Sequence, residues 1–408
     1  MAAGTIGFFI IPLIIEESAK QLVYLTCIPP CDLIEGMNAA QEKEIFHVIS
    51  QFAIYGDLVS CKPLGNGHIN STFRSTFNQG GTSVRYTHQR INKEVFKQPD
   101  QVVANIAAVT DFLRESYRRE GLEDISRRTL TLVPCKDGKL FYLDPAGNYW
   151  RTYLFVENVT TYEILDSTSL AEQLGRTVGE FQNRLASYKG PRLHDTIPRF
   201  HDMHLRYQQL DQAIASDPKG RVASVQAELA FLMQNRQRGM VLSDGLASGQ
   251  LREGITHNDT KLNNILFDQE TGAALCVIDL DTVMPGTVLF DTGDMIRTAT
   301  NTAAEDERDL SKVTFNFNVF RALISGYYSQ AGTFLTNYET KLLPESGRAI
   351  TQIMAVRMLT DYINGDVYYH IDYPDHNLVR ARTQIALMKS MDSQWDLITA
   401  FIHDLQAN

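Results

Sequence analysis

The pattern of apolar and polar positions changes along the chain. Between residues 37 and 157, short stretches rich in β-branched and aromatic residues alternate between apolar and polar, which is typical of half-buried strands. The turn sequence "NQGG" (78–81) separates two of these stretches and predicts a β-hairpin. Helical periodicity appears in this part over residues 37–54 and 98–120. The first part of the chain is therefore predicted to be mostly β, with few helices.

Beyond about Glu157 the period becomes that of helices. Three β-like stretches, "TLTLVPC", "KLFYLD" and "YWRTYLFVEN", end the first part, and residues 167–188 and 222–235 then repeat apolar positions every 3.6 residues. We predict an α+β fold of two lobes with a cleft between them. The small lobe, mostly antiparallel β, spans 37–157, and the larger, mostly helical lobe spans 158–408.

A separate apolar stretch, "TIGFFIIPLII" (5–15), precedes the first predicted helix. No Lys or Arg precedes it, Glu16 and Glu17 follow it, and it is shorter than the about 20 residues that span a bilayer. We expect neither a membrane anchor nor a secretion signal. We interpret residues 1–36 as an extension outside the fold.

Composition narrows the class of partner. The chain has 408 residues, 44% of them hydrophobic, which is enough for one large or two ordinary globular domains. Its 38 basic and 48 acidic residues give a net charge of −10, which argues against a general nucleic-acid or anionic-membrane surface and favours a small ligand. Five scattered cysteines without metal-site spacing indicate free thiols, and hence a cytoplasmic location.

Two neighbouring stretches, "ITHNDTKLNNILFD" (255–268) and "CVIDLDTVMPG" (276–286), carry an unusual number of Asp and Asn residues. Asp259, Asn264 and Asp279 are expected to converge at the ends of a short hairpin, and their oxygens are the ligands that magnesium prefers beside phosphate. Turn formation would explain any one of them. The spacing of five and then fifteen residues is that of the catalytic Asp, metal Asn and metal Asp of protein kinases.

These stretches resemble the "HxDxxxxN…DxD" motif of the aminoglycoside phosphotransferase and choline kinase superfamily, whose fold is protein-kinase-like. "PLGNGHINSTF", "WRTYLFVEN", "IPRFHDMHLRY" and "YPDHNLVRARTQI" further resemble the N-acetylhexosamine 1-kinases, over about residues 38–391. The resemblance implies phosphorylation of the anomeric (C1) hydroxyl of N-acetylglucosamine or N-acetylgalactosamine, with ATP as co-substrate and Mg²⁺ as cofactor. It also implies a nucleotide-binding small lobe and a catalytic, sugar-binding large lobe.

By this resemblance, Asp259 accepts the proton of the attacking hydroxyl or orients it, and Asn264 and Asp279 hold Mg²⁺. Asp281 is a further candidate, because two residues separated by one position point the same way on an extended strand. Lys261 is expected within reach of the transferred phosphate, and a solvated lysine is the alternative.

In the small lobe, Gly65 and Gly67 are expected to form a loop whose backbone N–H groups approach phosphate. His68 and Asn70 follow directly and are candidates for contacts with phosphate or sugar, with turn capping as the alternative for Asn70. Two glycines alone are a weak signal, and the position of the loop in the first hairpin supports the assignment.

The next strand departs from the kinase pattern, because "YTHQRI" has no lysine where kinases place one against the α and β phosphates. Gln89 and Arg90 point to opposite faces of a strand, so only one of them lines the cleft. Either Gln89 replaces the lysine with a neutral donor, or Arg90 supplies the charge.

The join between the lobes falls at "YLFVEN" (153–158). The backbone there, at Phe155 to Glu157, is a candidate for reading the adenine edge, with Phe155 and Val156 packing on the base. A plain buried strand is the alternative.

For the sugar, "MAVRMLTDYINGDVYYH" places Arg357 on a predicted helix and Tyr368 beyond a glycine turn. The resemblance implies that both contact the sugar. An ion pair between Arg357 and Asp361, four residues later on the same helical face, is the alternative.

Two further functions stay open at this point. One is a kinase of another small molecule, namely choline, homoserine or an aminoglycoside. The other is a pseudokinase that binds nucleotide without transfer, which the missing lysine favours and the complete Asp259, Asn264 and Asp279 set opposes. The sequence ranks neither N-acetylhexosamine above the other and indicates no protein partner.

Overall fold

The computed structural model describes residues 37–64, 70–162, 165 and 167–407. The extension and three of the candidate residues, Gly65, Gly67 and His68, lie outside the described residues.

The small lobe is built on a five-stranded antiparallel sheet of order β1-β2-β3-β5-β4. The predicted hairpin is confirmed: β2 and β3 pair along their full length, and Gly80 and Gly81 take positive φ angles in the turn, where glycine alone avoids strain. The strands are β1 (Asp57–Pro63), β2 (Ser71–Gln79), β3 (Thr82–Arg90), β4 (Tyr142–Leu143) and β5 (Tyr149–Leu154).

A first helix, α1 (Ala39–Ile49), shares a hydrophobic core with this sheet. Ile45 and Val48 of α1 pack in one cluster with Phe52 and Trp150, all four of them buried. The indole of Trp150 also donates a hydrogen bond to Asp144 Oδ2 at 2.9 Å, so its polar atom is satisfied inside the lobe.

One predicted strand is wrong, and another is shorter than predicted. The stretch 129–135 forms only single bridges, Leu132 to Tyr153 and Cys135 to Phe52, instead of a strand. Pro134 lacks an N–H donor, and its carbonyl accepts from the N–H of Ala53 rather than from a neighbouring strand, so no ladder continues through it. The stretch "KLFYLD" contributes only the two residues of β4.

Helices dominate the rest of the chain. The predicted helix over 167–188 is confirmed as α4, and the one over 222–235 is a 3₁₀ turn continued by α6. The helices are α2 (Pro99–Arg119), α3 (Ile125–Arg128), α4 (Thr168–Leu185), α5 (Met203–Ser216), α6 (Gln226–Gln234), α7 (Arg236–Gly239), α8 (Val241–Ala247), α9 (Val288–Thr300), α10 (Phe317–Ala331), α11 (Asn337–Lys341), α12 (Leu343–Asn364), α13 (His376–Ser393) and α14 (Trp395–Ala407).

Short strands between these helices carry the motif stretches. The hairpin predicted after the catalytic loop is confirmed, because β8 (Ile265–Asp268) and β9 (Ala274–Val277) pair antiparallel, with β6 (Val159–Thr160) on the other edge of β8. A second small sheet pairs β7 (Gly254–Thr256) with β10 (Met284–Gly286). Together with the small-lobe sheet and the helical lobe, this confirms the two-lobed α+β fold.

Helices α4 and α10 cross with their backbones in contact. A Cβ on Gly175 would lie 2.0 Å from the carbonyl oxygen of Leu323, and one on Gly326 would lie 2.1 Å from that of Glu172. Any larger residue at either position therefore has to separate the helices. No helix in the described part of the chain is both long and apolar enough to cross a membrane.

Candidate active site

A residue of α9 fixes the backbone of the loop after β7. Asp291 accepts the backbone N–H of His257 at 3.0 Å and that of Asn258 at 2.7 Å, one on each carboxylate oxygen. Asn258 takes a left-handed conformation (φ 68°), and its side chain donates to the carbonyl of Thr282 at 2.8 Å. These bonds fix the backbone immediately before Asp259.

Three of the predicted residues meet directly in this loop. Asn264 Nδ2 donates to Asp259 Oδ2 at 2.9 Å and to its carbonyl oxygen at 2.8 Å. Lys261 Nζ lies 3.0 Å from the same Oδ2. The carboxylate of Asp259 is thus oriented by an amide and an ammonium group, and it lines the cleft between the lobes.

Ile278 separates Asp279 from the end of β9. The N–H of Ile278 donates to the carbonyl of Asn264 at 2.9 Å. Burial, together with the negative charges of Asp281 and Asp259, raises the pKa of Asp279 to about 6. A buried carboxylate beside two others is costly without a cation. The donor set of Asp279 and the amide oxygen of Asn264 therefore fits a hard divalent ion.

Asp281 differs from its prediction. Asp279 is left-handed (φ 59°) and Leu280–Thr282 form a 3₁₀ turn, so the extended-strand argument for two Asp side chains on one face is wrong. Asp281 is nearly fully buried and is held by the small lobe: Asn70 Nδ2 donates to its Oδ2 at 2.6 Å, and Arg151 Nη2 lies 2.5 Å from its Oδ1.

Asn70 is likewise committed within the protein, since its Oδ1 accepts the N–H of Asn92 at 2.9 Å while its amide holds Asp281. It lines the cleft, and its observed contact is with a carboxylate of the large lobe.

On β3 the structure separates the two candidates for the missing lysine. Gln89 lines the cleft, and its Oε1 accepts from the guanidinium of Arg151. Arg90 lies on the opposite face, where it donates to Ser71 Oγ at 3.1 Å and lies 3.6 Å from a carboxylate oxygen of Glu44.

At the join between the lobes, Phe155 and Val156 line the cleft. The guanidinium of Arg85 lies 4.6 Å from the centre of the Phe155 ring and forms an ion pair with Glu157. The carbonyl of Glu157 accepts from Arg127 Nε at 3.1 Å. Glu157 itself does not line the cleft, because its side chain and its carbonyl both bind arginines of the protein.

A second cavity, of about 430 Å³, lies between α5 and α12 and contains the other two predicted substrate residues, Arg357 and Tyr368. Arg206 of α5 lines it as well, and the Arg357 guanidinium lies 5.7 Å from the centre of the Tyr368 ring and 5.5 Å from that of Tyr369. Burial and the positive charge of Arg357 lower the pKa of Arg206 to about 10, so Arg206 remains charged at neutral pH.

The alternative for Arg357, an ion pair with Asp361, is wrong. Asp361 accepts the backbone N–H groups of Val367, Tyr368 and Tyr369, each at 2.9 Å. These bonds fold the loop after α12. Among the described residues, Arg357 has no carboxylate partner, and its Nη1 lies 3.6 Å from Met354 Sδ.

Sequence reasoning missed three residues that the structure places in or beside the two cavities. Arg151 and Arg206 line them, and Asp291 holds the catalytic loop. Arg151 stands in a stretch that carries the family resemblance, but only the register of β3 with β5 connects it to Gln89.

The cleft cavity, about 610 Å³, is large enough for a nucleotide. Within the described ranges, no three His, Cys, Asp or Glu side chains are grouped so as to hold a metal ion.

Comparison with known proteins gives two results. The sequence model of the phosphotransferase enzyme family matches residues 60–313. A microcompartment-associated aminopropanol kinase has a similar structure, with a TM-score of 0.57 and 18% identity over 88% of this chain and 98% of that chain. An amicoumacin kinase solved with AMP-PNP and Ca²⁺ has a TM-score of 0.54 and 14% identity over 85% and 93% of the two chains.

Proposed function

Because the chain belongs to the phosphotransferase enzyme family and is a small-molecule kinase of the aminoglycoside phosphotransferase and choline kinase superfamily, we propose that it transfers the γ-phosphate of ATP to the anomeric hydroxyl of an N-acetylhexosamine. The observation that carries the transfer is the convergence of Asp259, Asn264 and Asp279 at the cleft. The assignment of a sugar as the acceptor depends on the second cavity, where two arginines have no carboxylate partner among the described residues.

In this proposal Asp259 orients the acceptor hydroxyl and takes its proton. Its carboxylate forms an ion pair with Lys261. Phosphoryl transfer has a loose transition state, so positioning and charge neutralisation matter more than a strong base. Asn264 and Asp279 would hold Mg²⁺, which supplies charge neutralisation for the phosphate oxygens. Lys261 forms an ion pair with Asp259 and lines the cleft, which supports its proposed contact with the transferred phosphate.

For the nucleotide, Phe155 and Val156 supply an apolar surface for the base, and Gln89 lines the same cavity. Gly65 and Gly67 remain the proposed phosphate loop, and His68 a proposed phosphate or sugar contact. Glu157 enters the proposal only through its backbone N–H, since its carboxylate and carbonyl bind Arg85 and Arg127.

The charge of the second cavity favours a sugar over a cationic acceptor. Both Nη atoms of Arg206 donate within the protein, to Gln209 and to the carbonyl of Phe200, and its Nε has no partner among the described residues. This Nε and the guanidinium of Arg357 offer N–H donors, which match hydroxyl oxygens and the carbonyl of an acetamido group, and Tyr368 and Tyr369 offer rings against which a sugar face packs. Choline and the aminoglycosides carry positive charge and would be repelled by the same arginines.

The location is proposed to be cytoplasmic. Cys61, Cys135 and Cys276 are buried and free, which supports a reducing compartment.

A substrate panel tests the proposal. The purified full-length protein is incubated with Mg-ATP and, separately, N-acetylglucosamine, N-acetylgalactosamine, choline, homoserine and spectinomycin, and ADP release is measured. We expect release with at least one N-acetylhexosamine, and NMR of the product should locate the phosphate on C1. Release only with choline, homoserine or spectinomycin would overturn the sugar assignment. ATP binding without release for any acceptor would support the pseudokinase instead.

A further inference from the structure

The nucleotide phosphates call for a cation from the small lobe, and the residues of β3 that line the cleft, Thr87 and Gln89, do not provide one. Kinases of this fold place a lysine on that strand, whereas this chain has Gln89 there. Residues directly opposite each other in an antiparallel pair point to the same face of the sheet. Gln89 lies opposite Arg151 in the β3–β5 register, so the partner of the missing lysine position is an arginine on the cleft side.

Arg151 is held rigidly in this position. Gln89 Oε1 accepts from its Nε at 3.0 Å and from its Nη2 at 2.8 Å, and Nη2 lies 2.5 Å from Asp281 Oδ1. The guanidinium also lies 5.3 Å from the centre of the Tyr153 ring. Although burial disfavours the cation, Asp281 raises the pKa of Arg151 above its usual value. The side chain is therefore a fixed positive charge.

One end of this guanidinium is unused. Arg151 is 1% exposed, and its Nη1 is buried without a hydrogen-bond partner in the part of the chain that is described. A buried donor without a partner costs roughly 1 to 3 kcal/mol, and more when it is charged. Such a group is retained where a ligand satisfies it, and the cavity that Arg151 lines is the one that contains Asp259 and Asp279.

We propose that Arg151 replaces the missing β3 lysine and binds the α and β phosphates of the nucleotide through Nη1, while Gln89 and Asp281 position it. The inference rests on the nucleotide part of the proposed function and on no particular acceptor. It makes Asp281 the counterion of Arg151 rather than a metal ligand. It also accounts for the glutamine, because its carbonyl oxygen accepts two N–H groups that a lysine at this position would repel.

The test compares nucleotides that differ only in phosphate. Affinities of the full-length protein for adenosine, AMP, Mg-ADP and Mg-ATP are measured by titration calorimetry for wild type, Arg151→Met and Arg151→Lys. Arg90→Met is the matched control, since Arg90 neighbours Gln89 on the opposite face. We expect Arg151→Met to weaken Mg-ATP and Mg-ADP binding about 10- to 100-fold, the range of a charge-assisted hydrogen bond, and to change adenosine binding less than about twofold.

A second variant separates a binding role from a structural one. Gln89→Lys combined with Arg151→Met returns the cation to β3, and we expect it to recover most of the lost Mg-ATP affinity. Unchanged Mg-ATP affinity in a folded Arg151→Met protein, or equal losses for adenosine and Mg-ATP, would overturn the proposal. If Arg151→Met does not fold, Arg151→Lys decides, with an expected loss of about 3- to 10-fold for Mg-ATP alone, because lysine lacks the fork of donors.

The outcome is independent of the acceptor. Loss of Mg-ATP affinity with no activity on any sugar would support Arg151 and contradict the sugar assignment. Sugar phosphorylation by an Arg151→Met protein with normal ATP affinity would support the sugar assignment and contradict the role of Arg151.

Discussion

The two cavities of this protein have opposite charge. The cleft brings together the carboxylates of Asp259, Asp279 and Asp281, whereas the second cavity is lined by the guanidinium groups of Arg206 and Arg357 beside tyrosine rings. A site rich in carboxylates requires a cation before it can accept a triphosphate. A site lined by arginine side chains favours oxygen acceptors and repels cations.

In each cavity, one acidic residue is bound by other groups of the protein. Asp361 accepts three backbone N–H groups of the loop after α12, so Arg357 keeps its charge available. Asp281 is neutralised by Arg151 of the small lobe, which leaves Asp279 as the proposed metal ligand of the two. The difference between the cavities therefore depends on which carboxylates are committed to holding the fold.

The largest expected effect is at the acidic cavity. Asp259→Asn should lower kcat by about 100- to 10,000-fold, the range of general acid–base catalysis, while ATP binding changes little. Steady-state ADP release and ATP titration measure the two quantities. Asp244→Asn is the control, because Asp244 pairs with His204 at the surface. A kcat within tenfold of wild type would contradict the role of Asp259.

At the basic cavity, Arg357→Met should raise the KM for the acceptor about 10- to 100-fold, because it removes charged donors, and should leave the KM for ATP unchanged. Arg176→Met is the control, since Arg176 forms an exposed ion pair with Glu172 that contributes little. A rise in the KM for ATP with no change for the acceptor would reverse the assignment of the two cavities.

A smaller effect concerns the sheet beneath the cleft. His88 is fully buried between Ser75 Oγ and Thr152 Oγ1, and burial lowers its pKa to about 3. The unfolded chain, in which the pKa of histidine is about 6.5, takes up the proton first, so this stability is present above pH 6.5 and is lost as the pH falls toward 3. Between pH 6.5 and 5, the contribution to the free energy of unfolding should fall by about 1.5 kcal/mol.

Urea unfolding of wild type and His88→Gln at both pH values measures this contribution. We expect the variant to lose less stability on acidification than wild type. An identical pH dependence in the two proteins would show that His88 does not carry it.

The smallest effect is expected at the join between the lobes. Glu157→Ala should change the KM for ATP less than about twofold and the free energy of unfolding by at most about 1 kcal/mol, because its half-exposed pair with Arg85 lies outside the cleft. A tenfold rise in the KM for ATP would mean that the Glu157 carboxylate contacts the nucleotide.

What could be predicted from the sequence was mostly local. The spacing of Asp259, Asn264 and Asp279 lies within one loop and the hairpin after it, so pattern alone indicated that they converge. The fold class followed from the change of period near Glu157 and from the motif. The alternation rule correctly required Gln89 and Arg90 to lie on different faces, although it did not say which one lines the cleft.

What could not be predicted depends on register and on contacts between distant residues. Arg151 meets Gln89 across a strand pair 62 residues apart in sequence and meets Asp281 across the lobes. Asp281 itself was placed on an extended strand, whereas the left-handed Asp279 begins a 3₁₀ turn. The incorrectly predicted strand over 129–135 shows the same limit. The carbonyl of Pro134 accepts a hydrogen bond from the N–H of Ala53, a distant residue outside any strand.

The crossing of α4 and α10 has a consequence for genetics. Tyr327, the residue after Gly326, donates to Gln182 of α4 at 2.6 Å, and Gln182 in turn donates to Asp291 at 2.8 Å. Asp291 holds the backbone before Asp259. A displacement caused by a methyl group at Gly326 would therefore be transmitted to the catalytic loop through only three residues. Temperature-sensitive alleles are therefore expected at Gly175 and Gly326, although neither glycine lines the cleft or the second cavity.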